Sequence, residues 1–285
     1  MAQTEGFQKF LMEDLQIRGE WVRLESSYQQ MLANHDYPDL VKRLLAQTTA
    51  AAVLLTGTLK FSGRLSIHAR GDGPISLLMA EATDQRRFRA IARFGEVMEQ
   101  EMDLRALLGR AQMAITIEPE QGQRYQGVVP LEYPEISGCL EQYFALSEQL
   151  DTHFTLVNSD DAVYGLMLQK LPDYRELDDQ DAWDRVVHLA KTLSLEEFAG
   201  HDNATLTHRL FHEEKVRLFD EQDVAFACSC SEERSLASIK AMGQDEALDI
   251  LEQEPSISVD CQFCGAHYEF DRKAIETLFE MGQRH

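Results

Sequence analysis

Four of the five cysteines in this 285-residue chain fall in one stretch: Cys228-Ser229-Cys230, then a thirty-residue spacer, then Cys261-Gln262-Phe263-Cys264 followed by Gly265. Thiolate sulfur is a soft ligand. Two close pairs separated by a span long enough to fold back bring four sulfurs around one tetrahedral ion, and such an all-cysteine set favours zinc in a closed, structural site. Gly265 lets the backbone turn and aim amide protons at the sulfurs, whereas the C-x-C half has the less usual spacing. Three other chemistries compete: buried core thiols, constitutive disulfides, and a thioredoxin-type redox pair. Scattered core cysteines rarely pair so tightly, and five cysteines in a chain without an export signal do not make a disulfide framework. A thioredoxin-type pair opens a helix after a strand. Here Cys261 and Cys264 lie between Ser256-Ile257-Ser258-Val259 and His267-Tyr268-Glu269-Phe270, alternating runs that read as the arms of a hairpin.

Four thiolates around one divalent cation leave an anionic site whose sulfurs stay nucleophilic enough for a strong oxidant to attack. Bridges between near neighbours, Cys228 to Cys230 and Cys261 to Cys264, would close very short loops and leave the spacer almost unconstrained. Metal ties the two pairs together and neighbour disulfides would not, so oxidation of that kind would loosen a folded unit.

The elements that must position the cysteines come in three blocks. Residues 1–171 read as one α+β domain with a mainly antiparallel sheet. Its strands include Glu20 to Leu24, Arg64 to Arg70, Ile75 to Glu81, Gln85 to Arg93, Met113 to Ile117, Gln126 to Leu131, Phe154 to Val157 and Val163 to Gln169. Asp39 to about Thr58 makes a long helix behind Pro38, small on every side around Thr48 to Ala52. Ser137 to Leu150 makes a second helix, carrying Cys139 as a buried structural thiol. Residues 172–226 hold fourteen acids and six bases and read as short helices, one started by the capping box Ser194-Leu195-Glu196-Glu197. Isolated helices of that length are marginal in water and persist through what they dock on. Residues 227–285 add helices at about Glu232 to Met242 and Asp245 to Glu252, the hairpin, and a last helix capped by Asp271. A unit that small has a marginal core of its own, so a bound metal supplies much of its stability.

The net charge of −22 repels phosphate backbones. It thereby weakens the chief rival reading, a zinc-ribbon regulatory factor associated with nucleic acid. No basic segment followed by an apolar run opens the chain, and the apolar stretch Ala50 to Leu55 is far too short to span a membrane, so a soluble cytoplasmic protein is expected. No phosphate-binding glycine loop or nucleophile motif suggests an enzyme. His188, His201, His208 and His212 could suggest a second metal site, but no Glu follows His208 in zinc-protease fashion and a solvated face is favoured. Arg87, Arg89 and Arg93 share one strand face, also read as solvated.

The cysteine pattern, with Phe211-His212-Glu213-Glu214 ahead of it, resembles the 33 kDa chaperonin family of redox-regulated heat-shock holdases. Arg70-Gly71-Asp72-Gly73-Pro74, Arg124-Tyr125-Gln126-Gly127-Val128-Val129 and Leu140-Glu141-Gln142-Tyr143-Phe144 extend the resemblance over essentially the whole chain. Gln123 departs from it, standing where an acid is often found. The resemblance implies Zn²⁺ held by Cys228, Cys230, Cys261 and Cys264 in a reduced, inactive form. It implies an oxidised, zinc-free, active form with disulfides Cys228–Cys230 and Cys261–Cys264, produced by peroxide with heat or by hypochlorous acid. Unfolding of the zinc unit and of the linker at 172–226 would accompany the change. The active form would dimerise and hold unfolding client proteins without ATP, with no nucleic-acid or membrane partner and no catalytic residue.

Overall fold

A computed structural model describes residues 5–60, 62–96, 102–172, 179 and 181–282. Strands β1 (Gly6–Met12) and β2 (Ile17–Leu24) open the chain as an antiparallel pair. β1 escapes the sequence pattern because both its faces are covered, Phe7 on one and Phe10 and Met12 on the other, which removes the polar–apolar alternation of a half-exposed strand. A short helix α1 (Ser26–Leu32) leads to α2 (Asp39–Thr56), which starts directly after Pro38. Then come β3 (Gly63–Arg70), β4 (Ile75–Thr83), β5 (Arg87–Phe94), α3 (Leu104–Leu108), β6 (Gln112–Pro119), β7 (Tyr125–Val129), α4 (Ile136–Tyr143), β8 (Thr152–Asn158) and β9 (Val163–Lys170). The helix expected to reach Leu150 keeps α-helical hydrogen bonding only to Tyr143. It then widens through Phe144–Glu148 and stops at Gln149, whose φ of 56° is left-handed.

Two sheets form. One has the order β3 between β4 and β6, with β5 beyond β4 and β7 beyond β6; the other runs β1, β2, β9, β8. α2 packs against strands of both, which is why every side of it from Thr48 to Thr56 is buried and why its small residues are needed. The β5 face carrying Arg87, Arg89 and Arg93, expected to be solvated, is closed over in its middle: Arg89 pairs with Glu81 of β4 at 3.2 Å with both side chains largely buried, and Ile91 is buried beside it. Of the three arginines only Arg87 and Arg93 stay exposed, while Phe88, Ala90 and Ala92 face the core.

The start of the segment expected after Pro172 falls at 173–178 and 180, outside the described residues. From Ala182 it forms α5 (Ala182–Ala190), α6 (Leu195–Gly200) and α7 (Asn203–Phe211), followed by strands β10 (Val216–Leu218) and β11 (Ala225–Phe226). Helices alone were expected here. Three and two residues are too few to show a period, and these strands exist because sheet edges are available to them. β10 pairs antiparallel with β1, and β11 runs parallel to β5, the single parallel pairing among the described strands. The capping box forms, with Ser194 Oγ accepting from the Glu197 N–H at 3.3 Å and Glu197 Oε2 accepting from the Ser194 N–H at 3.2 Å.

Helices α5 to α7 cover the outer face of the β1-β2-β9 sheet. Phe10, Trp21, Tyr164, Leu166 and Leu168 of the sheet and Val186, Ala190, Phe198, Leu206 and Phe211 of the segment form one buried apolar cluster, distinct from the cluster around α2. Polar ties reinforce it: Trp21 Nε1 donates to Thr207 Oγ1 at 2.9 Å. The guanidinium of Arg23 donates to the carbonyls of Phe198 and His201 at 2.5 and 2.6 Å, where the C-terminal end of α6 is electronegative.

On the opposite face of β2 lies a buried carboxylate. Glu20 is 1 % exposed; Arg18 Nε stands 3.9 Å from its Oε1, and Lys9 donates to the Gly57 carbonyl at the end of α2, 2.7 Å away. Burial outweighs Arg18, Lys9 and Arg86 and pushes the Glu20 carboxyl up to about 7. A raised acid favours its protonated form in the fold, so this contribution to stability is complete below the unfolded value and is lost as pH rises through about 7. Glu20→Gln should flatten that dependence and stabilise the protein at pH 8 by on the order of 2 to 3 kcal/mol, as read from denaturant midpoints at pH 5 and pH 8.

The chain divides into two compact units between Ala227 and Cys228. The second contains α8 (Glu232–Met242), α9 (Gln244–Gln253), the hairpin β12 (Ser256–Asp260) and β13 (His267–Asp271), and α10 (Arg272–Gly282). Asp271 caps α10 through the Ala274 N–H at 2.8 Å. Its buried apolar core is Ile239, Ala247, Leu251, Ile257, Phe270 and Ile275, too few to hold 58 residues by hydrophobic burial alone.

Candidate metal centre

The C-x-x-C pair occupies the turn of the β12–β13 hairpin. Cys261 N–H donates to the Ala266 carbonyl and Gly265 N–H to the Cys261 carbonyl, both at 2.8 Å, and Gly265 has a left-handed φ of 68° that a side chain would resist. That fold turns the N–H groups of Phe263 and Cys264 onto the Cys261 sulfur and the N–H of Ala266 onto the Cys264 sulfur. The C-x-C pair precedes α8, for which Ser231 is the N-cap, so the positive end of the helix lies beside Cys230. Arg234, in the first turn of α8, donates to the Ser229 carbonyl at 2.7 Å and fixes the short turn between the two sulfurs.

The four Sγ atoms lie within 4.8 Å of one another, with Cys228 to Cys261 at 3.5 Å and Cys230 to Cys264 at 3.3 Å. An ion bound tetrahedrally to sulfur at about 2.3 Å needs sulfur separations of about 3.8 Å, so the quartet fits such an ion with small adjustments. All four cysteines are partly exposed and unbridged. Burial pushes the Cys228 thiol up, and burial with neighbouring sulfurs pushes Cys264 up to about 12. For Cys261 burial is outweighed by the Cys264 and Phe263 amides, which draw the thiol down to about 7.

Tyr268, absent from the residues singled out in the sequence, also reaches the quartet. Its Oη donates to Cys230 Sγ at 3.2 Å. The alternation His267-Tyr268-Glu269-Phe270 carried the signal: it places Tyr268 on the same face as Phe270, opposite Val259 of β12 and hence beneath the turn that holds the cysteines. Cys139 takes no part. It is fully buried on α4 in the first unit, and burial pushes its thiol up. The rings of His208 and His212 stand 6.1 Å apart without a third ligand, and among the described residues only the cysteine quartet gathers enough ligand atoms to share an ion.

The structure thus defines a class: a closed centre of four cysteine sulfurs on a small helix-and-hairpin unit, following an α+β unit built around α2. A family model described as Hsp33 protein matches residues 5–271. The chain is 48% identical over 277 residues to a 33 kDa chaperonin of Ectopseudomonas mendocina, covering 95% of this chain and 94% of that relative. It is 45% identical over 280 residues to a 33 kDa chaperonin of Hahella chejuensis, covering 98% of each. The crystal structure of the 33 kDa chaperonin, a heat shock protein 33 homologue, from Thermotoga maritima shares the fold, with a TM-score of 0.84 at 20% identity over 99% of this chain and 100% of that one. The chain belongs to the Hsp33 family of chaperones. No helix among the described residues is long and apolar enough to cross a membrane.

Proposed function

We propose that this protein is an ATP-independent, stress-activated cytoplasmic holdase whose switch is the oxidation of the cysteine quartet. In the reduced form Cys228, Cys230, Cys261 and Cys264 hold Zn²⁺, which, when bound, ties the two pairs together and offsets their charge. A thiolate of each pair attacks peroxide, its sulfur gives up two electrons as the O–O bond breaks, and the neighbouring thiolate then displaces hydroxide to form the S–S bond. Each disulfide consumes two thiolates and one peroxide and yields two hydroxides. Cys228–Cys230 and Cys261–Cys264 are the products, and neither links the two halves of the small unit. That unit then opens, and the helical segment whose last strand ends two residues before Cys228 lets go in turn. Unfolding proteins bind the apolar sheet face so released, and the active form dimerises.

The observation that carries this reading is the apolar cluster under α5, α6 and α7. Trp21 and Phe10 are fully buried, yet what covers them is three short helices of nine, six and nine residues. Helices that short have little stability apart from their dock, so the same cluster serves as a closed core or as an adhesive surface.

The test is to treat the reduced, zinc-loaded protein with hydrogen peroxide at elevated temperature, follow zinc with a coloured chelator, and follow the light scattering of a heat-denatured client. Zinc release and loss of client aggregation should rise together. Full suppression by the reduced form, or none by either form, would refute the switch.

A further inference from the structure

We infer that Tyr268 is a positioning residue that sets how readily the quartet reacts with peroxide, by donating its phenolic hydrogen to the Cys230 sulfur. The inference rests on the proposed reading of the quartet as an oxidant-sensitive zinc centre. Three of the sulfurs take hydrogen bonds from the backbone: Cys228 from the Cys230 amide, Cys261 from those of Phe263 and Cys264, and Cys264 from that of Ala266. Cys230 takes one from a side chain, Tyr268 Oη at 3.2 Å.

The phenol is aimed by the fold rather than by the cysteines. Tyr268 lies opposite Val259 in the β12–β13 ladder, two pairs along from Ile257 and Phe270 and so on the same face, and its ring packs on the small core those two residues help to build. Its hydroxyl is therefore held at the Cys230 sulfur by packing that exists with or without the bond.

The consequence follows from the chemistry of the first step. A sulfur lone pair must reach a peroxide oxygen as the O–O bond breaks, which leaves a sulfenic acid on the sulfur and releases one hydroxide; the Cys228 thiolate then forms the S–S bond as the S–O bond breaks and a second hydroxide leaves. A hydrogen bond from a phenol engages that lone pair and lowers its donation, and hydrogen bonds to charged acceptors are among the stronger ones. Cys230 is partly exposed, so access alone does not protect it. The hydroxyl acts as a restraint that keeps mild oxidant from opening the centre.

Tyr268→Phe removes the hydroxyl and keeps the ring. In the zinc-loaded full-length protein, peroxide-driven zinc release and thiol loss should accelerate roughly three- to tenfold. Zinc transfer to a chelator without peroxide should stay unchanged, and the thiolate-to-metal charge-transfer band of the Co²⁺-substituted protein should move to lower energy. A purely structural role would speed the peroxide-free transfer equally and leave that band in place. Unchanged or slower peroxide-driven release, or equal acceleration without peroxide, would overturn the inference. Tyr268→Met, which also lacks the hydroxyl, serves if phenylalanine lowers zinc loading. Wild-type protein that binds no zinc, or keeps it in peroxide, would instead overturn the reading of the quartet itself.

Discussion

Val186→Asp should make the reduced, zinc-loaded protein suppress client aggregation at least half as well as the oxidised wild type. Val186 is fully buried at the centre of α5, within the cluster that includes Trp21, Tyr164 and Phe198. A carboxylate there must shed its hydration without a partner, at a cost of several kcal/mol. The helical segment has little to set against that, because nine- and six-residue helices do not stand alone. The sheet keeps its other face on α2, so detachment should be local. Limited proteolysis should cut within residues 182–211 while β1 to β9 stay resistant. Arg23→Met reaches the same end from the sheet side: it withdraws the guanidinium from the Phe198 and His201 carbonyls and leaves the segment's own apolar residues untouched. A segment shown to be detached in the reduced protein without any gain in client binding would mean that the buried sheet face is not the adhesive surface.

Much of this arrangement is legible in the sequence. Alternation at Arg64 to Arg70 and the all-round small residues of Thr48 to Ala52 gave a sheet and a helix packed on it, and the structure adds that α2 lies against two sheets rather than one. The cysteine spacing and Gly265 gave the quartet, since local turn chemistry aims sulfurs that are only two and three residues apart within each pair. What the sequence hides is long-range. β1 has no period because both its faces are buried, and β10 and β11 are too short to have one. The tie from Arg23 to α6 spans 175 residues and leaves no local mark; that from Tyr268 to Cys230 spans 38, and the strand alternation gives the face of Tyr268 but not its partner.

The second large effect concerns how the quartet comes apart. Oxidation should join Cys228 to Cys230 and Cys261 to Cys264 and thereby melt residues 228–282, although in the structure Cys228 faces Cys261 and Cys230 faces Cys264 at 3.5 and 3.3 Å. The difference is decisive for stability. Bridges across the pairs would span separations of 33 and 34 residues and contribute roughly 3.5 to 4 kcal/mol each in the chain-entropy account, holding the helices and the hairpin together after the metal has gone. Bridges within pairs contribute about half that, inside turns that are already ordered, and connect nothing to anything else. The loss of a structural zinc, worth on the order of 10 to 16 kcal/mol, then falls on a core of six buried apolar residues. On the proposed reading, neighbour disulfides would therefore let the unit open, whereas crossed disulfides would lock it shut.

The most direct measurement is a disulfide map with zinc stoichiometry and amide hydrogen exchange on one sample, before and after peroxide at elevated temperature. One zinc per reduced chain, its loss on oxidation, bonds Cys228–Cys230 and Cys261–Cys264, and collapsed protection over residues 228–282 and 182–211 are the predicted results. Crossed bonds Cys228–Cys261 and Cys230–Cys264, or protection that persists after the zinc has left, would contradict the account.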